Sequence, residues 1–202
     1  MFAAIARPHH PALPPLLLFL AALGPHTAFA ADGDSITTDR PNFVESSNVV
    51  GAGRVQLETS IGIDRSKVDG VREHTIATPT LLRFGVSDTV ELRVETDGAM
   101  RSRTTDGSSP RQSKRGYGDV SLGLKWHAVD AAGALPSLGL LFHADLDTGS
   151  APFRGQGTRP SARIVAEWEL GAGMSLGVMP GFVYERHAGG THGILGVVVG
   201  KA

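Results

Sequence analysis

The sequence predicts an all-β fold, an antiparallel barrel whose strands cross a membrane, with about eight strands in view. Three observations predict it. Seven segments alternate with period two, and on the phase chosen for each the apolar face carries no Asp, Glu, Lys or Arg. Each opposite face carries at least one of them, so every segment is a ribbon with one oily and one polar side. Connections also alternate in length, long and polar after the third and fifth segments, shorter after the second, fourth and sixth. Finally, Phe84, Trp126 and Trp168 lie on apolar faces just before the shorter turns, while Tyr117 and Tyr184 fall at the opposite ends. Outer-membrane barrels have short turns at one rim, long loops at the other and aromatic girdles at both interfaces. A soluble β-sandwich alternates too, but gives no reason for aromatic rings at those heights.

Length and composition bound the reading. The 202 residues suit one domain, and the formal charge of −1 offers no basic footprint for nucleic acid. No Cys is present, which excludes disulfides and thiolate metal sites. Residues 1–30 read as a secretory signal peptide: Arg7, an apolar block from Leu13 to Leu23, and Ala28-Phe29-Ala30 before the cut. The block is shorter than the roughly 20 residues of a helical span. Its removal takes away Arg7 and leaves 18 basic against 20 acidic side chains, net −2. No later apolar run is long enough for a helix to span, so membrane residence requires strands.

Residues 31–53 are polar and irregular, with Pro41, Gly51 and Gly53, and read as a periplasmic N-terminal segment ahead of a barrel domain at 54–202. Strand one, Arg54 to Ile63, sets Val55, Leu57, Thr59, Ile61 and Ile63 against Gln56 and Glu58. Asp64 to Gly70 reads as a polar turn or loop. Strand two, about His74 to Phe84, sends Ile76, Thr78, Thr80, Leu82 and Phe84 to one side and Arg83 to the other, with Pro79 marking a break. Strand three opposes Val90, Leu92, Val94 and Thr96 to Glu91, Arg93 and Glu95. Asp97 to Gly116 reads as a long polar loop. Strand four opposes Val120, Leu122, Leu124 and Trp126 to Asp119, Ser121, Gly123 and Lys125, and Ala128 to Pro136 turns the chain. Strand five opposes Leu138, Leu140, Phe142 and Ala144 to His143 and Asp145, and a Gly-rich loop runs from Thr148 to Pro160. Strand six opposes Ala162, Ile164, Ala166, Trp168 and Leu170 to Arg163, Glu167 and Glu169. Strand seven sets Leu176, Val178, Phe182 and Tyr184 against Glu185. Ile194 to Val199 is apolar on both sides and has no readable phase.

Thr38-Asp39-Arg40-Pro41-Asn42-Phe43, Glu45-Ser46, Gly53 and Gln56-Leu57-Glu58 resemble the opening of the family named for the meta-pathway of phenol degradation. The likeness continues through Leu81-Leu82-Arg83-Phe84-Gly85, Glu91-Leu92-Arg93 and Gly118-Asp119 to Lys125. It implies an outer-membrane transporter for small organic solutes, the aromatic ones suggested by the family name alone. Two departures stand out. Asp147-Thr148-Gly149 replaces a Pro-Thr-Gly turn, and the chain stops at Gly200-Lys201-Ala202 where members run on to further strands and an aromatic, as a shortened member would. A barrel of eight strands is just filled by its side chains, whereas a wider one leaves a conduit.

On this reading Gln56, Glu58, Arg83, Glu91, Arg93, Glu95, Asp119, Lys125, His143, Asp145, Arg163, Glu167 and Glu169 line the lumen. They form either a mixed-charge pathway for solutes or a salt-bridged plug. Asp39-Arg40 before Pro41 is either an inward-folded lid, its guanidinium paired with a lumen carboxylate, or a Pro-defined turn with a solvated charge pair. His143 and Asp145 share a face with Ser121 nearby, but no nucleophile motif flanks Ser121 and no enzyme is predicted. His187 and His192 read as polar loop residues, not metal ligands. Gly123, Gly139, Gly177 and Gly181 read as room for bulky neighbours, and no cofactor is implied. Outer-membrane lipid and a small organic solute are the expected partners. The alternatives are a closed barrel with a structural or surface-interaction role, and a soluble periplasmic binding protein.

Overall fold

The computed structural model describes residues 36–40, 43–106 and 111–201, so residues 1–30, expected to be a signal peptide, residues 31–35 and Pro41 lie outside it. From Thr37 onward the chain forms one compact unit. Its strands are β1 (Val55–Thr59), β2 (Gly62–Val68), β3 (Val71–Ala77), β4 (Thr80–Gly85), β5 (Val90–Thr96), β6 (Ala99–Thr105), β7 (Gln112–Tyr117), β8 (Val120–Val129), β9 (Ser137–Leu146), β10 (Arg159–Gly171), β11 (Met174–Glu185) and β12 (Gly190–Lys201). All pairings are antiparallel.

An eight-stranded sheet runs β1-β4-β5-β8-β9-β10-β11-β12, and a four-stranded sheet runs β2-β3-β6-β7. The second continues the first. Seams at Ser60–Ile61, Thr78–Pro79, Asp97–Gly98 and Gly118–Asp119 divide four long strands in two, and Ser60 N→Pro79 O and Gly118 N→Gly98 O bonds carry the ladder across. The register from β4–β5 to β3–β6 takes up one more residue on the β5–β6 side. That residue is a bulge at Asp97–Gly98, where Gly98 has φ 66° and Thr78 N reaches both Asp97 O and Ala99 O. The eight-stranded ladder does not close among the described residues: β1 and β12 are its two ends.

Two segments expected to be loops are strands in large part, and a third, Ala128 to Pro136, turns the chain as expected except for its first two residues. Asp64 to Val68 belongs to β2, and the turn is only Asp69-Gly70, both at positive φ (50° and 85°). A two-residue Asp-Gly connection of that geometry is a tight hairpin turn. Asp97 to Gly116 holds the β6–β7 hairpin, and Ala128 and Val129 extend β8. The unphased C-terminal segment is β12, and its register against β11 settles the phase: Gly196 faces Met179 while Val197 lies beside Val178. His187 sits in a single 3-10 turn and His192 in β12, so neither belongs to the free loop expected of them.

The interior is polar and the outside apolar. Arg83, Glu91, Arg93 and Lys125 are at most 2% exposed, while Leu122 and Ile164 are about half exposed at 50% and 48%. Phe84, Trp126, Tyr117, Phe142, Phe182 and Tyr184 are exposed on the outer face as well. The apolar core among the described residues is small: Val44, Leu141, Val165 and Met179. A water-soluble domain places its charges the other way round.

Candidate functional site

The site is built by period-two alternation in neighbouring strands. Register stacks three inward rows: Gln56–Arg83–Arg93–Gly123–His143, then Glu91–Lys125–Leu141–Arg163, then Glu58–Leu81–Glu95–Ser121–Asp145. Gly123 leaves space in its row, for a Cβ there would meet the His143 ring at 3.1 Å. Residues 37–40 and 43–50 run against these rows without regular structure.

Asp39 is the hub. Its Oδ2 lies 2.6 Å from both Arg93 Nη1 and Lys125 Nζ and 3.6 Å from Arg83 Nη1, while Oδ1 accepts the Ser46 amide at 2.8 Å. Burial alone would raise the Asp39 pKa, but Lys125, Arg93 and Arg83 outweigh it and hold the carboxyl at about 2. Arg83 donates from Nε and Nη2 to the two oxygens of Glu91, both at 2.9 Å, a bidentate pair. Arg93 also reaches Glu45 (2.7 Å) and Glu95 (2.9 Å), Arg40 reaches Glu95 (2.9 Å), and Arg163 reaches Glu45 (3.0 Å).

An irregular segment can be buried only if its backbone polar groups find partners. Here the strands supply them as side chains. Glu58 accepts the amides of Asp39 and Arg40, Glu91 that of Val50, and Glu167 that of Ser47. Arg83 donates to Thr37 O and Asn48 O, and Lys125 to Ser46 O. Close approach completes the fit: a Cβ on Gly139 would lie 2.9 Å from Ser47 Cα, and one on Gly85 would lie 1.6 Å from Gly51 O.

Asp39-Arg40 folds inward and is not a solvated turn, and charges of the neighbouring strands form salt bridges around it. Of the residues expected inside, Gln56, Glu58, Arg83, Glu91, Arg93, Glu95, Lys125, His143, Arg163 and Glu167 join this network. Asp119 and Asp145 belong to a second group: Arg159 lies near both, at 3.7 and 3.4 Å, and Asp119 accepts the amides of Gly149 and Gly155. Glu169 is exposed near the end of β10 and joins neither. Of the family motif, Thr38 is exposed, Asp39 and Arg40 carry the contacts above, and Pro41 is outside the description. Sequence reading missed Ser47, His127 and the inward Leu81, Leu141, Val165 and Met179. His127 shares the alternation of Lys125 and could have been read from it.

Among the described residues no Ser–His–Asp grouping is assembled. His143 Nδ1 faces Glu95 at 3.6 Å, and Asp145 pairs with Arg159. Glu45, Glu95 and His143 bring ligand-type atoms within 4.8 Å of one another, yet Arg93 sits between the two carboxylates, and a cation would have to displace it. At this cluster is a cavity of about 330 Å³, lined by apolar Phe43, Met179 and Ile194 and by charged Asp39, Arg40, Glu45, Arg93, Glu95 and Arg163.

A sequence profile of the family described as "Putative MetA-pathway of phenol degradation" matches residues 38–192, from the Asp39 motif past the last strand that contributes to the network. No curated protein matches the chain.

Proposed function

The chain belongs to this phenol-degradation family, and on that premise we propose that it is an exported outer-membrane β-barrel that admits small organic molecules, with residues 37–50 as an internal plug. One observation carries the reading: charges are buried and large apolar side chains exposed along the same strands. In a barrel the apolar side meets acyl chains and the polar side a lumen. The rims support it. After β1, β5 and β9 the chain makes its longer excursions, whereas Val86–Thr89, Asp130–Pro136 and Ala172–Gly173 turn it back at the other end. Phe84, Trp126 and Trp168 lie toward the latter.

Transport on this reading is passive. The cavity lined by Arg40 and Arg163 combines apolar Phe43, Met179 and Ile194 with hydrogen-bond donors and carboxylate acceptors, which suits an aromatic compound with a polar substituent. Passage requires the plug to yield. Ser47 Oγ and Ser137 Oγ are 2.7 Å apart, and the chain has no other thiol to compete with an engineered pair. Ser47→Cys with Ser137→Cys, inserted in a planar bilayer, should conduct when reduced and fall silent when oxidised. Equal conductance in both states sinks the plug. The filled interior favours one second reading, a closed barrel with a surface-interaction role, and a bilayer that stays silent in both states with the protein inserted selects it.

A further inference from the structure

The β2-β3-β6-β7 sheet sorts its charges by face. Register places Ile63, Ile76, Arg101 and Arg115 in one row, Arg65, His74 and Arg103 in the next, and Lys67 and Arg72 beyond. The carboxylates of these strands, Asp64 and Glu73, lie on the reverse with one cation, Lys114, and there Glu73 accepts a 2.7 Å bond from Ser102. Seven arginine and lysine side chains are thus brought to one face or its edge with Arg111, in a protein whose formal charge is −1. Five of them, Arg65, Lys67, Arg72, Arg103 and Arg111, line a depression of about 330 Å³ together with His74, Thr105, Ser66 and Glu73, and Arg101 and Arg115 are outside that lining. Arg101 Nε and His74 Nε2 have no hydrogen-bond partner among the described residues.

The first cationic row shares its level with Ile63 and Ile76, both exposed, and Ile61 beyond them is exposed as well. Apolar outer surface therefore passes into arginine within a residue or two, about 3.3 Å each along the strand. A soluble anion would have no use for the adjoining apolar surface. A lipid has both parts: acyl chains for the isoleucines and a phosphate for the guanidinium forks.

We propose that the outward face of the β2-β3-β6-β7 sheet binds the phosphate-bearing head group of an outer-leaflet lipid. This rests on the barrel reading above. The probe is a diphosphorylated disaccharide glycolipid, titrated onto the full mature chain in neutral detergent, with its dephosphorylated form as control. Heat-modifiable gel mobility and vesicle insertion are scored in parallel, so that failure of the barrel is seen separately from failure of binding. The wild type should prefer the phosphorylated lipid, and the affinity should fall with salt. Arg101→Gln/Arg103→Gln/Arg115→Gln should weaken binding at least about tenfold with insertion intact. Should that variant fail to fold, Lys67→Gln/Arg72→Gln, at exposed positions, should weaken it in the same direction. Equal affinity for the two lipids, or displacement by inorganic phosphate as strongly as by the glycolipid, overturns the proposal.

Discussion

Asp39 Oδ2 and Lys125 Nζ lie 2.6 Å apart, buried, across 86 residues of sequence. The pair fastens an irregular segment to the centre of a sheet. Removing one member of such a pair leaves an uncompensated charge out of water, which costs more than the pair itself contributes.

Asp39→Ala should therefore lower stability by about 3–5 kcal/mol and release residues 43–50 to solvent. Urea unfolding and hydrogen exchange of the Ser46, Ser47 and Val50 amides measure the two effects. Asp39→Ala combined with Lys125→Met should recover part of the loss. A double variant no better than the single would show that the pair is not coupled.

Acid should loosen the same segment. The folded Asp39 pKa, about 2, is depressed below its ordinary 3.8, so its contribution is complete above the ordinary value and lost as pH falls through the folded one. On the order of 2 kcal/mol disappears over that window. Amide exchange in the segment should accelerate between about pH 4 and pH 2, and in Asp39→Asn this acid step should be absent.

Leu122→Arg or Ile164→Arg puts a charge on the exposed apolar face, which at a bilayer midplane costs about 2–4 kcal/mol. Each should impair vesicle insertion. The informative comparison is Glu169→Gln, at an exposed position outside the network, which should insert like the wild type. Glu91 and Lys125 are poor controls, because both are fully buried and paired.

Gly85→Ala should displace the segment at its far end, since the added carbon would fall 1.6 Å from Gly51 O, a backbone atom that cannot rotate away. Gly193→Ala has nothing within 4 Å of its new carbon. Thermal melts of the two should separate clearly, and coincident melts would count against the packing described.

Period two made most of the eight-stranded sheet legible, because one face of each strand is apolar and the other charged. It failed where both faces are polar. Arg101, Ser102, Arg103 and Thr104 give no contrast, so β6 looked like a loop, and only the Asp69-Gly70 dipeptide advertised the hairpin between β2 and β3. Ile194 to Val199 failed for the opposite reason, being apolar or glycine throughout. The inward charges were readable from alternation, but their partner was not. Asp39 sits in a stretch without periodicity, and its three cations come from β4, β5 and β8.

The last residues to touch the segment are glycines, Gly177 and Gly196, against the methyl groups of Val44. The segment thus has neighbours more than about 130 residues further along the chain. Contacts of such long span form slowly. Until β8 arrives, Asp39 waits without its lysine. Assembly of this protein is accordingly a race between sheet growth and loss of an unprotected leading segment, and a chaperone that shields residues 37–50 would raise the yield.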